Sequence, residues 1–534
     1  MQQTVERLGR PAAPGIAGGP LVFLDRPLAR RRPTGEVAGE RRALDAAIVA
    51  AIAAIKALAA RVDGEAAAIL EFQVAMLEDE ELVAPAHRRI GEGVDAAAAW
   101  AEAVAQQIAT YESGADDYFR ARAADLRDLR DEVHRHLAGE AGTRLPDGAV
   151  LAGEDVTPSR FLAVDWTRGG GVALFGGSPS SHVAMLARSR GVPMIVGLGR
   201  VDLVGHDAAI VDGDTGRMVL SPKPGDWSAY AAALARQAHR ASDENLAARA
   251  AALTRDGVPI KVMVNIAEPK ELDGLDPAMC EGVGLFRTEF LFHGRGGLPD
   301  EDSQYRAYRR IAEWAAPHPA VLRTLDAGGD KPVAGLTVAG ESNPFLGTRG
   351  IRLSLARPDV FRIQLRAMAR AAVHGDVRVM LPMVTIPAEI DRAAALLDEA
   401  VAELKAAAIP CARPPLGIMV EVPAVAIVPE LFAKAAFFSI GSNDLTQYVT
   451  ASARDTAAVA TLNDAAHPAV LSLIARVVAE GARLGREVSL CGDMGGDPAH
   501  LPALIAAGLR SVSVAPPLVG RAKLAIAAIV ARGG

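Results

Sequence analysis

Apolar and polar positions divide the chain into stretches of different periodicity. From residue 35 to residue 145, charged residues are interleaved with apolar ones at helical spacing and proline is nearly absent. This pattern predicts a subdomain of several antiparallel helices. From residue 146 to residue 225, short apolar runs are separated by Gly, Pro and Asp, which predicts strands and turns. Helical spacing returns over residues 226–258 and predicts a long connecting helix.

Strand and helix patterns alternate from residue 259 to residue 534. Eight strand-forming runs with helical segments between most of them, spread over roughly 275 residues, predict a TIM (β/α)8 barrel. The runs are IKVMVNI, GVGLFRT, AVLRTLD, VRVMLPM, PLGIMVE, FFSIGSN, EVSLCGD and SVSVAP. The fold class is therefore a multidomain α/β protein with a C-terminal barrel.

Composition and charge exclude several classes of function. The net charge is −7, which argues against nucleic acid as the main partner, since binding it requires a basic surface. The three cysteines (Cys280, Cys411 and Cys491) show neither CxxC pairing nor zinc spacing and fit a reducing compartment. The most apolar stretch, AAIVAAIAAIKALAA, is interrupted by Lys56. With no apolar signal core at the start of the sequence, we expect a cytoplasmic protein without membrane insertion.

One histidine lies where a helix is predicted to begin. In GGSPSSHVAMLAR, Ser180 and Ser181 precede His182 as favourable N-cap residues, and the run VAMLAR continues as a helix until Gly191. A residue in the first helical turn lies near unpaired backbone N–H groups and the positive end of the helix dipole. This environment favours a bound phosphoryl group. The local pattern therefore indicates a phosphorylated histidine rather than a metal ligand.

Chemically active residues follow several predicted barrel strands, where the chemistry of such barrels is found. Arg287 and Arg323 could hold a phosphate or carboxylate through paired N–H bonds. Glu421 and Asp444 are oxygen ligands suited to Mg²⁺ together with substrate phosphate oxygens. Cys491 could give a proton to a carbon atom or act as a nucleophile.

A further arginine, Arg454, could bind a substrate carboxylate. The set suits a small phosphorylated carboxylic acid and phosphoryl transfer by positioning and charge neutralisation. Each residue also has a structural interpretation: a rim arginine or carboxylate can belong to a surface ion pair, Cys491 can be a buried apolar filler, and His182 can simply cap its helix. Convergence on one rim favours the functional interpretation.

With these residues in view, the chain resembles the enzyme I family of phosphoenolpyruvate-dependent phosphotransferase systems over almost its whole length. PGIAGGPLVF resembles that family's first strand, and AMLEDEEL and YFRARAADLRDL its helical insertion, which docks the phosphocarrier protein HPr. GGSPSSHVAMLARSRGVPMIVG resembles its phosphohistidine motif. The barrel motifs, in the family's order, are GVGLFRTEFLF, LRTLDAGGDK, NPFLGTRGIR, FRIQLRAMARA, MLPMV, GIMVEVPA, FFSIGSNDLTQY and SLCGDMGGD.

The resemblance implies a division of the chain and a set of partners. Residues 1–34 would supply the first strands of a phosphohistidine swivelling domain that continues over residues 146–225. Residues 35–145 would bind HPr, residues 226–258 would form the linker helix, and residues 259–534 the phosphoenolpyruvate-binding barrel. In such enzymes the barrel mediates homodimerisation, and the phosphohistidine domain moves between the barrel and HPr.

The resemblance also implies a role for each motif residue. His182 would carry the phosphoryl group, and Cys491 would protonate the enolate carbon to release pyruvate. Arg287 and Arg323 would hold the phosphate of phosphoenolpyruvate. The remaining assignments are Mg²⁺ binding by Glu421 and Asp444, substrate binding by Asn443, Asp444 and Arg454, and positions near the phosphate for Lys331 and Arg349.

Two alternative functions share these motifs. Pyruvate phosphate dikinases and phosphoenolpyruvate synthases carry a large ATP-binding domain before the histidine, and no nucleotide-binding glycine loop precedes His182 here. A regulatory sensor of the nitrogen-related branch carries an extra N-terminal domain, whereas this sequence starts on the first strand. We therefore expect a role in sugar uptake.

Overall fold

A computed structural model describes residues 4–24, 31–62, 65–112, 117–139, 145–179, 181–292, 297–329, 331–338, 340–453, 456 and 459–531. The chain forms two compact units, residues 1–237 and 238–534. Two of the residues singled out above, Ser180 and Arg454, lie outside the described residues.

Helices fill the first part of the first unit, as the periodicity predicts. The first of them buries Leu44, Ile48, Ala51 and Ile55 on one face, the spacing of an amphipathic helix. Their bounds are α1 (Val37–Ala59), α2 (Glu65–Leu77), α3 (Glu80–Gly91), α4 (Ala96–Glu112) and α5 (Asp117–Ala138).

A buried carboxylate joins α1 to the start of α4. Glu40 accepts hydrogen bonds from Nη1 of Arg31 (2.6 Å), the backbone N of Thr34 (2.6 Å) and the backbone N of Ala96 (2.9 Å). Ala96 is the first residue of α4, so Glu40 satisfies a backbone donor that the helix itself cannot. Burial alone would raise the pKa of Glu40, but these donors outweigh it and lower the pKa to about 2.

Replacement of Glu40 by glutamine should lower the free energy of unfolding by about 1–3 kcal/mol, because a neutral side chain cannot serve the same donors. The folded-state pKa lies below the ordinary value of 4.5. The stabilisation is therefore complete above pH 4.5 and is lost as the pH falls towards 2. Urea unfolding at pH 7 and at pH 3 should show a smaller difference between the variant and the wild type at pH 3. Glu36→Gln, at an exposed residue whose side chain makes no cap hydrogen bond, is the control. An equal difference at both pH values would contradict the assignment.

A mixed sheet forms the rest of the first unit, in the order β1-β8-β7-β3-β4-β5-β6-β2. Neighbours from β3 to β6 run parallel and the other pairs run antiparallel. The strands are β1 (Val5–Leu8), β2 (Arg10–Ala13), β3 (Ile16–Phe23), β4 (Val150–Gly153), β5 (Gly171–Leu174), β6 (Met194–Val196), β7 (Ala208–Asp212) and β8 (Arg217–Leu220). Two short helices, α6 (Pro158–Leu162) and α7 (His182–Ser189), lie between these strands in the sequence.

The connecting helix is shorter than the predicted 226–258. It is α8 (Pro224–Ala248), and the boundary between the two units falls within it. Nζ of Lys523 donates to the carbonyl of Ala248 (3.0 Å), the last residue of the helix. A turn follows, in which Val258 N donates to Oγ1 of Thr254 (2.9 Å) and Gly257 has a φ of +82°. The contact from the distant Lys523 and this local turn together end the helix before residue 258.

The second unit contains a closed barrel in which each strand pairs in parallel with its neighbours. This confirms the predicted TIM barrel, and each predicted run contains a strand. The strands are β9 (Lys261–Ile266), β10 (Val283–Phe286), β11 (Ala320–Arg323), β12 (Val377–Leu381), β13 (Leu416–Val420), β14 (Phe437–Ile440), β15 (Glu487–Leu490) and β16 (Ser511–Val514). The helices are α9 (Glu301–Ala315), α10 (Ile351–Ala356), α11 (Pro358–Ala371), α12 (Pro387–Ala406), α13 (Pro423–Ile427), α14 (Ser442–Thr450), α15 (Pro468–Leu484), α16 (Leu501–Ala506) and α17 (Val519–Ala528).

A small apolar cluster is distinct from the larger apolar core that lies between the barrel strands and the helices. It draws one residue from each of six successive strands or strand ends and forms part of the barrel interior. Its members are Leu285, Val321, Met380, Met419, Phe437 and Cys491. In the part of the chain that the structure describes, no helix combines the length and hydropathy that crossing a membrane requires.

Candidate active site at the barrel rim

The predicted rim residues lie at the carboxyl ends of their strands. Arg323 is the last residue of β11, while Arg287, Glu421 and Cys491 directly follow β10, β13 and β15. Asp444 lies in the first turn of α14, shortly after β14. Because parallel strands of one barrel end on the same side, these side chains share one rim.

A buried carboxylate, Asp326, lies at the centre of a cationic cluster. Its oxygens lie 3.1 Å from Nη1 of Arg323, 2.9 Å from Nε of Arg349 and 3.3 Å from Nζ of Lys331. Burial alone would raise the pKa of Asp326, but the three cations overcome that effect and hold it well below its ordinary value. Asp326 therefore remains ionised and fixes the three cations around it.

Arg349 joins this cluster to Asp444, one of the two residues predicted to bind Mg²⁺. Its side chain is fully buried, with Nε and Nη2 donating to Asp326 (2.9 and 3.0 Å). Nη1 and Nη2 also donate to the two carboxylate oxygens of Asp444, at 3.1 Å each. The planar guanidinium thus fixes the orientation of both carboxylates. Each oxygen of Asp444 keeps a second lone pair for another ligand.

Arg323 retains a free donor inside the protein. Its Nη2 donates to Oε1 of Glu289 (2.9 Å), and its side chain is almost completely buried. Among the described residues, its buried Nε has no hydrogen-bond partner. An unpaired guanidinium N–H is costly in a protein interior unless a ligand supplies the acceptor. Arg323 is therefore a candidate for pairing with a bound anion.

Glu421 lies in an environment with too little positive charge. It is 1% exposed, and its Oε1 accepts a hydrogen bond from the backbone N of Met383 (2.6 Å). Burial, followed by repulsion from Asp444 and Asp326, raises the pKa of Glu421 to about 8. Three cationic side chains oppose four carboxylates here, which leaves one excess negative charge when all are ionised. They are Arg323, Lys331 and Arg349 against Glu289, Asp326, Glu421 and Asp444.

The donor set at Glu421 and Asp444 fits a divalent cation. Two carboxylates completed by water and substrate oxygens are a usual arrangement for Mg²⁺, and a cation would neutralise the excess charge. Among the described residues, no three His, Cys, Asp or Glu side chains are grouped closely enough to hold a metal ion by themselves. Substrate oxygens would therefore have to complete this site.

Arg287 lies at the open side of the rim. Its side chain is exposed and lines a cavity of about 370 Å³ together with Asn265, Asp493 and the segment 514–518. No described residue forms an ion pair with it. Arg287 is therefore accessible to an incoming anion, whereas Arg323 is fixed below the surface.

Asn443 connects the start of α14 to the segment after Cys491. Its Nδ2 donates to Oδ2 of Asp493 (2.9 Å), and its Oδ1 accepts from Asp493 N (3.0 Å). Gly492 permits this close approach, because an added Cβ would lie 1.9 Å from Oγ of Ser442. Both polar ends of the Asn443 side chain are thus engaged within the protein.

Cys491 is buried with its sulfur held by hydrogen bonds. Oγ of Ser439 donates to its Sγ (3.3 Å), and Sγ lies 3.7 Å from the carbonyl of Ile440. Asn265 Nδ2 donates to the Cys491 carbonyl (3.1 Å). Burial raises the pKa of the Cys491 thiol, and the hydrogen bond from Ser439 only partly opposes it. The thiol therefore stays protonated and can act as a proton donor.

In the first unit, α7 begins at His182, as the sequence predicts. Oγ of the N-cap residue Ser181 accepts a hydrogen bond from the backbone N of Ala184 (3.3 Å). The helix ends at Ser189, and Gly191 follows with a φ of +63°. The backbone of His182 therefore lies in the first turn, where the helix dipole favours a negative charge.

Comparison with known proteins agrees with this geometry. The family models described as "PEP-utilising enzyme, PEP-binding domain", "PEP-utilising enzyme, N-terminal" and "PEP-utilising enzyme, mobile domain" match residues 241–531, 8–122 and 145–216. The phosphoenolpyruvate-protein phosphotransferase of Geobacillus stearothermophilus is 38% identical over 532 residues, which cover 97% of this chain and 92% of that protein. The chain belongs to the phosphoenolpyruvate-protein phosphotransferase family.

Another member of the phosphoenolpyruvate-protein phosphotransferase family is similar over nearly the same length, and a solved structure is similar over less than half of this chain. The protein of that name from Staphylococcus aureus is 35% identical over 497 residues, covering 92% of this chain and 87% of that protein. A solution structure of an Enzyme I protein is 29% identical, covers 42% of this chain and 97% of that one, and gives a TM-score of 0.34. The similarity to the Geobacillus stearothermophilus and Staphylococcus aureus proteins confirms the resemblance stated from the motifs, and the chain is an enzyme of this family.

The sequence did not single out several residues that shape the rim of this phosphotransferase. Asp326 and Glu289 fix the buried arginine side chains, and Ser439 holds the thiol of Cys491. Asp326 and Glu289 lie in quoted motifs, two or three residues beyond a rim arginine. That spacing was the available signal for both carboxylates. Nothing in the order of residues pairs Ser439 with Cys491.

Proposed function

We propose that this enzyme transfers the phosphoryl group of phosphoenolpyruvate to His182 and from there to the phosphocarrier protein HPr, releasing pyruvate as the first step of sugar phosphotransfer. The observation that carries the proposal is the rim itself. Arg323 is buried and ion-paired, yet its Nε–H has no partner among the described residues. Glu421 belongs to the same network of charged side chains, in which the carboxylates outnumber the cations by one. A small anion with several oxygens, bound with a divalent cation, would complement both features.

Binding of phosphoenolpyruvate would be divided between buried and exposed groups. Arg323 and the exposed Arg287 would hold the phosphate. Arg349 and Lys331 are ion-paired with Asp326 and would act by holding the charged side chains of the rim in position. Asn443 and Asp444, at the start of α14, and Arg454 would hold the rest of the substrate.

Glu421 and Asp444 would hold Mg²⁺. When bound, the ion would neutralise charge on the phosphoryl and enolate oxygens. Arg349 orients Asp444 through both of its oxygens, and Met383 N orients Glu421, so both ligands are positioned before the substrate binds. The carboxylates themselves would also exclude a second anion from this side of the rim.

The transfer itself would proceed by in-line displacement. A neutral imidazole nitrogen of His182 attacks the phosphorus, the N–P bond forms, and the bond from phosphorus to the enol oxygen breaks. The thiol of Cys491 then gives its proton to the enolate carbon, which yields pyruvate and leaves a thiolate. Since His182 and the rim belong to different units, we propose that the phosphohistidine domain moves to deliver its phosphoryl group.

We propose that the helices within residues 35–145 dock HPr and that residues 259–534 mediate homodimerisation. Exposed acids surround the start of α3, a surface to which a basic face of a carrier would be attracted. Glu78 is paired with Lys56 (2.7 Å), and Oδ1 of Asp79 caps the helix by accepting from Glu81 N (2.9 Å). Sedimentation of the full chain with and without HPr tests whether the chain forms a dimer and binds HPr.

The test of this function is transfer of label from phosphoenolpyruvate. The full chain is incubated with [³²P]phosphoenolpyruvate and Mg²⁺, with and without HPr, and in parallel with ATP. We expect an acid-labile, alkali-stable phosphoenzyme to form without ATP and HPr to remove its label. Labelling that requires ATP would favour dikinase chemistry. Labelling that no carrier removes would favour a sensor.

Glu421→Gln should remove the dependence on metal without unfolding the protein. Glutamine keeps an acceptor for Met383 N but loses the charge. We expect kcat/KM for phosphoenolpyruvate to fall by roughly 100-fold or more and the Mg²⁺ titration to flatten. Glu313→Gln, on the surface of α9, is the matched control. An unchanged Mg²⁺ titration in Glu421→Gln would exclude the metal assignment.

A further inference from the structure

The barrel interior beneath Cys491 carries polar residues on two adjacent strands. Ser439 and Ser489 are direct partners in the register of β14 and β15, and both lie on the same face of the sheet as Cys491, two residues after Ser489. The apolar cluster occupies the same interior. Hydroxyls in such a core require partners, and these two find them in each other and in the thiol.

The hydrogen bonds form a directed chain. Oγ of Ser489 donates to Oγ of Ser439 (3.2 Å), and Oγ of Ser439 donates to Sγ of Cys491 (3.3 Å). Both hydroxyl protons therefore point towards the sulfur. This order allows a proton to move to a thiolate, because each hydroxyl can donate its proton towards the sulfur and accept another from the preceding group in the chain.

The chain leads away from the rim towards solvent at the other end of the barrel. Ser439 is 1% exposed, whereas Ser489 is only partly buried. Glu487, two residues before Ser489 on the same face, is exposed, and its Oε2 accepts from Arg378 on β12 (2.8 Å). Strand β12 is not a neighbour of β15, so the two side chains meet across the amino-terminal opening of the barrel. The polar lining thus reaches water at the amino-terminal end of the barrel.

We propose that Ser489 and Ser439 return a proton from solvent at the amino-terminal end of the barrel to Cys491 after each turnover. This inference rests on the proposed function, in which Cys491 loses its proton to the enolate. Ser439 gives its hydroxyl proton to the thiolate and takes the proton of Ser489, and Ser489 takes one from water. The water is reprotonated by a buffer acid, so the net change is the uptake of one solvent proton by the thiolate.

Burial of the thiol and occupation of the rim during turnover favour such a route. Cys491 is 3% exposed, so water has little access to its sulfur even before ligands bind. During turnover the substrate or pyruvate covers the rim side of the thiol. Burial also disfavours the thiolate, as the raised pKa of Cys491 indicates. Proton delivery from the amino-terminal end of the barrel would allow the Cys491 thiolate to be reprotonated while the substrate or pyruvate still occupies the rim.

The decisive comparison is Ser489→Val against Ser489→Thr. The two side chains have the same shape and suit a strand equally well, but only threonine keeps the hydroxyl, and valine leaves no space for a substituting water. Rapid-quench measurements with labelled phosphoenolpyruvate, Mg²⁺ and excess HPr follow pyruvate formation in the first and later turnovers. Ser511→Ala is the control, because this interior hydroxyl donates only to Sδ of Met263 (3.7 Å) among the described residues.

We expect Ser489→Val to form one equivalent of pyruvate at the rate of Ser489→Thr, since Cys491 starts protonated. Later turnovers of the valine variant should be slower by at least about tenfold, giving a burst that the threonine and Ser511→Ala variants lack. Equal later turnovers in the valine and threonine variants would overturn the proposal. Failure of the proposed function has a different signature: the wild type would form no phosphoenzyme, or Cys491→Ala would leave the first turnover unchanged.

Discussion

Replacement of His182 by alanine is expected to abolish labelling of the enzyme by phosphoenolpyruvate and all transfer to HPr. No other group is proposed to accept the phosphoryl group, so the loss should reach the detection limit. The helix should persist, because Ser181 still caps it through Ala184 N and alanine is a strong helix former. The thermal midpoint and the circular dichroism spectrum should therefore match the wild type.

The control for this experiment is His239→Ala, at a histidine whose side chain is 82% exposed on α8. It should retain full labelling. The rim should remain intact in His182→Ala, so the variant should still bind phosphoenolpyruvate in a calorimetric titration with Mg²⁺. Stoichiometric, acid-labile labelling of His182→Ala would disprove the phosphohistidine assignment.

Arg349→Met should be the most disruptive single change in the barrel. It removes the fully buried cation that joins Asp326 to Asp444. Asp444 would lose its ion pair, and Asp326 would keep only Arg323 and Lys331. Removal of one partner from a buried pair costs about 3–5 kcal/mol, because the remaining charge is left uncompensated. Phosphoenolpyruvate-dependent labelling should be lost together with this stability.

The measurement is urea unfolding of the full chain, with the transition of the second unit followed separately from that of the first. Arg357→Met, which removes an ion pair with Asp359 whose side chains are both more than a third exposed, should cost less than about 1 kcal/mol. Arg349→Met combined with Asp444→Asn should be less destabilised than the sum of the two single variants. A loss below about 1 kcal/mol in Arg349→Met would show that the network is not essential for the barrel.

Local features could be predicted because they depend on neighbouring residues. The start of α7 at His182 follows from the N-cap residue Ser181 and a helix-forming run. The barrel strands follow from apolar runs between helical segments, and a barrel of parallel strands places Arg323 and Glu421 on one rim whatever the details of packing. The end of α8 was predicted less well, because a distant residue, Lys523, binds its last carbonyl.

The sequence by itself therefore determined the order of the elements, the barrel and the side of it on which the reactive residues lie. Only the tertiary structure decided how those residues are paired and how deeply they are buried. Arg349 meets Asp444 across 95 positions of the chain, and Ser489 meets Ser439 across 50. Such contacts are set by strand register and barrel closure, which no local pattern encodes. Burial then determines their chemistry, because the same carboxylate or thiol has a very different pKa in water and inside a closed charge network.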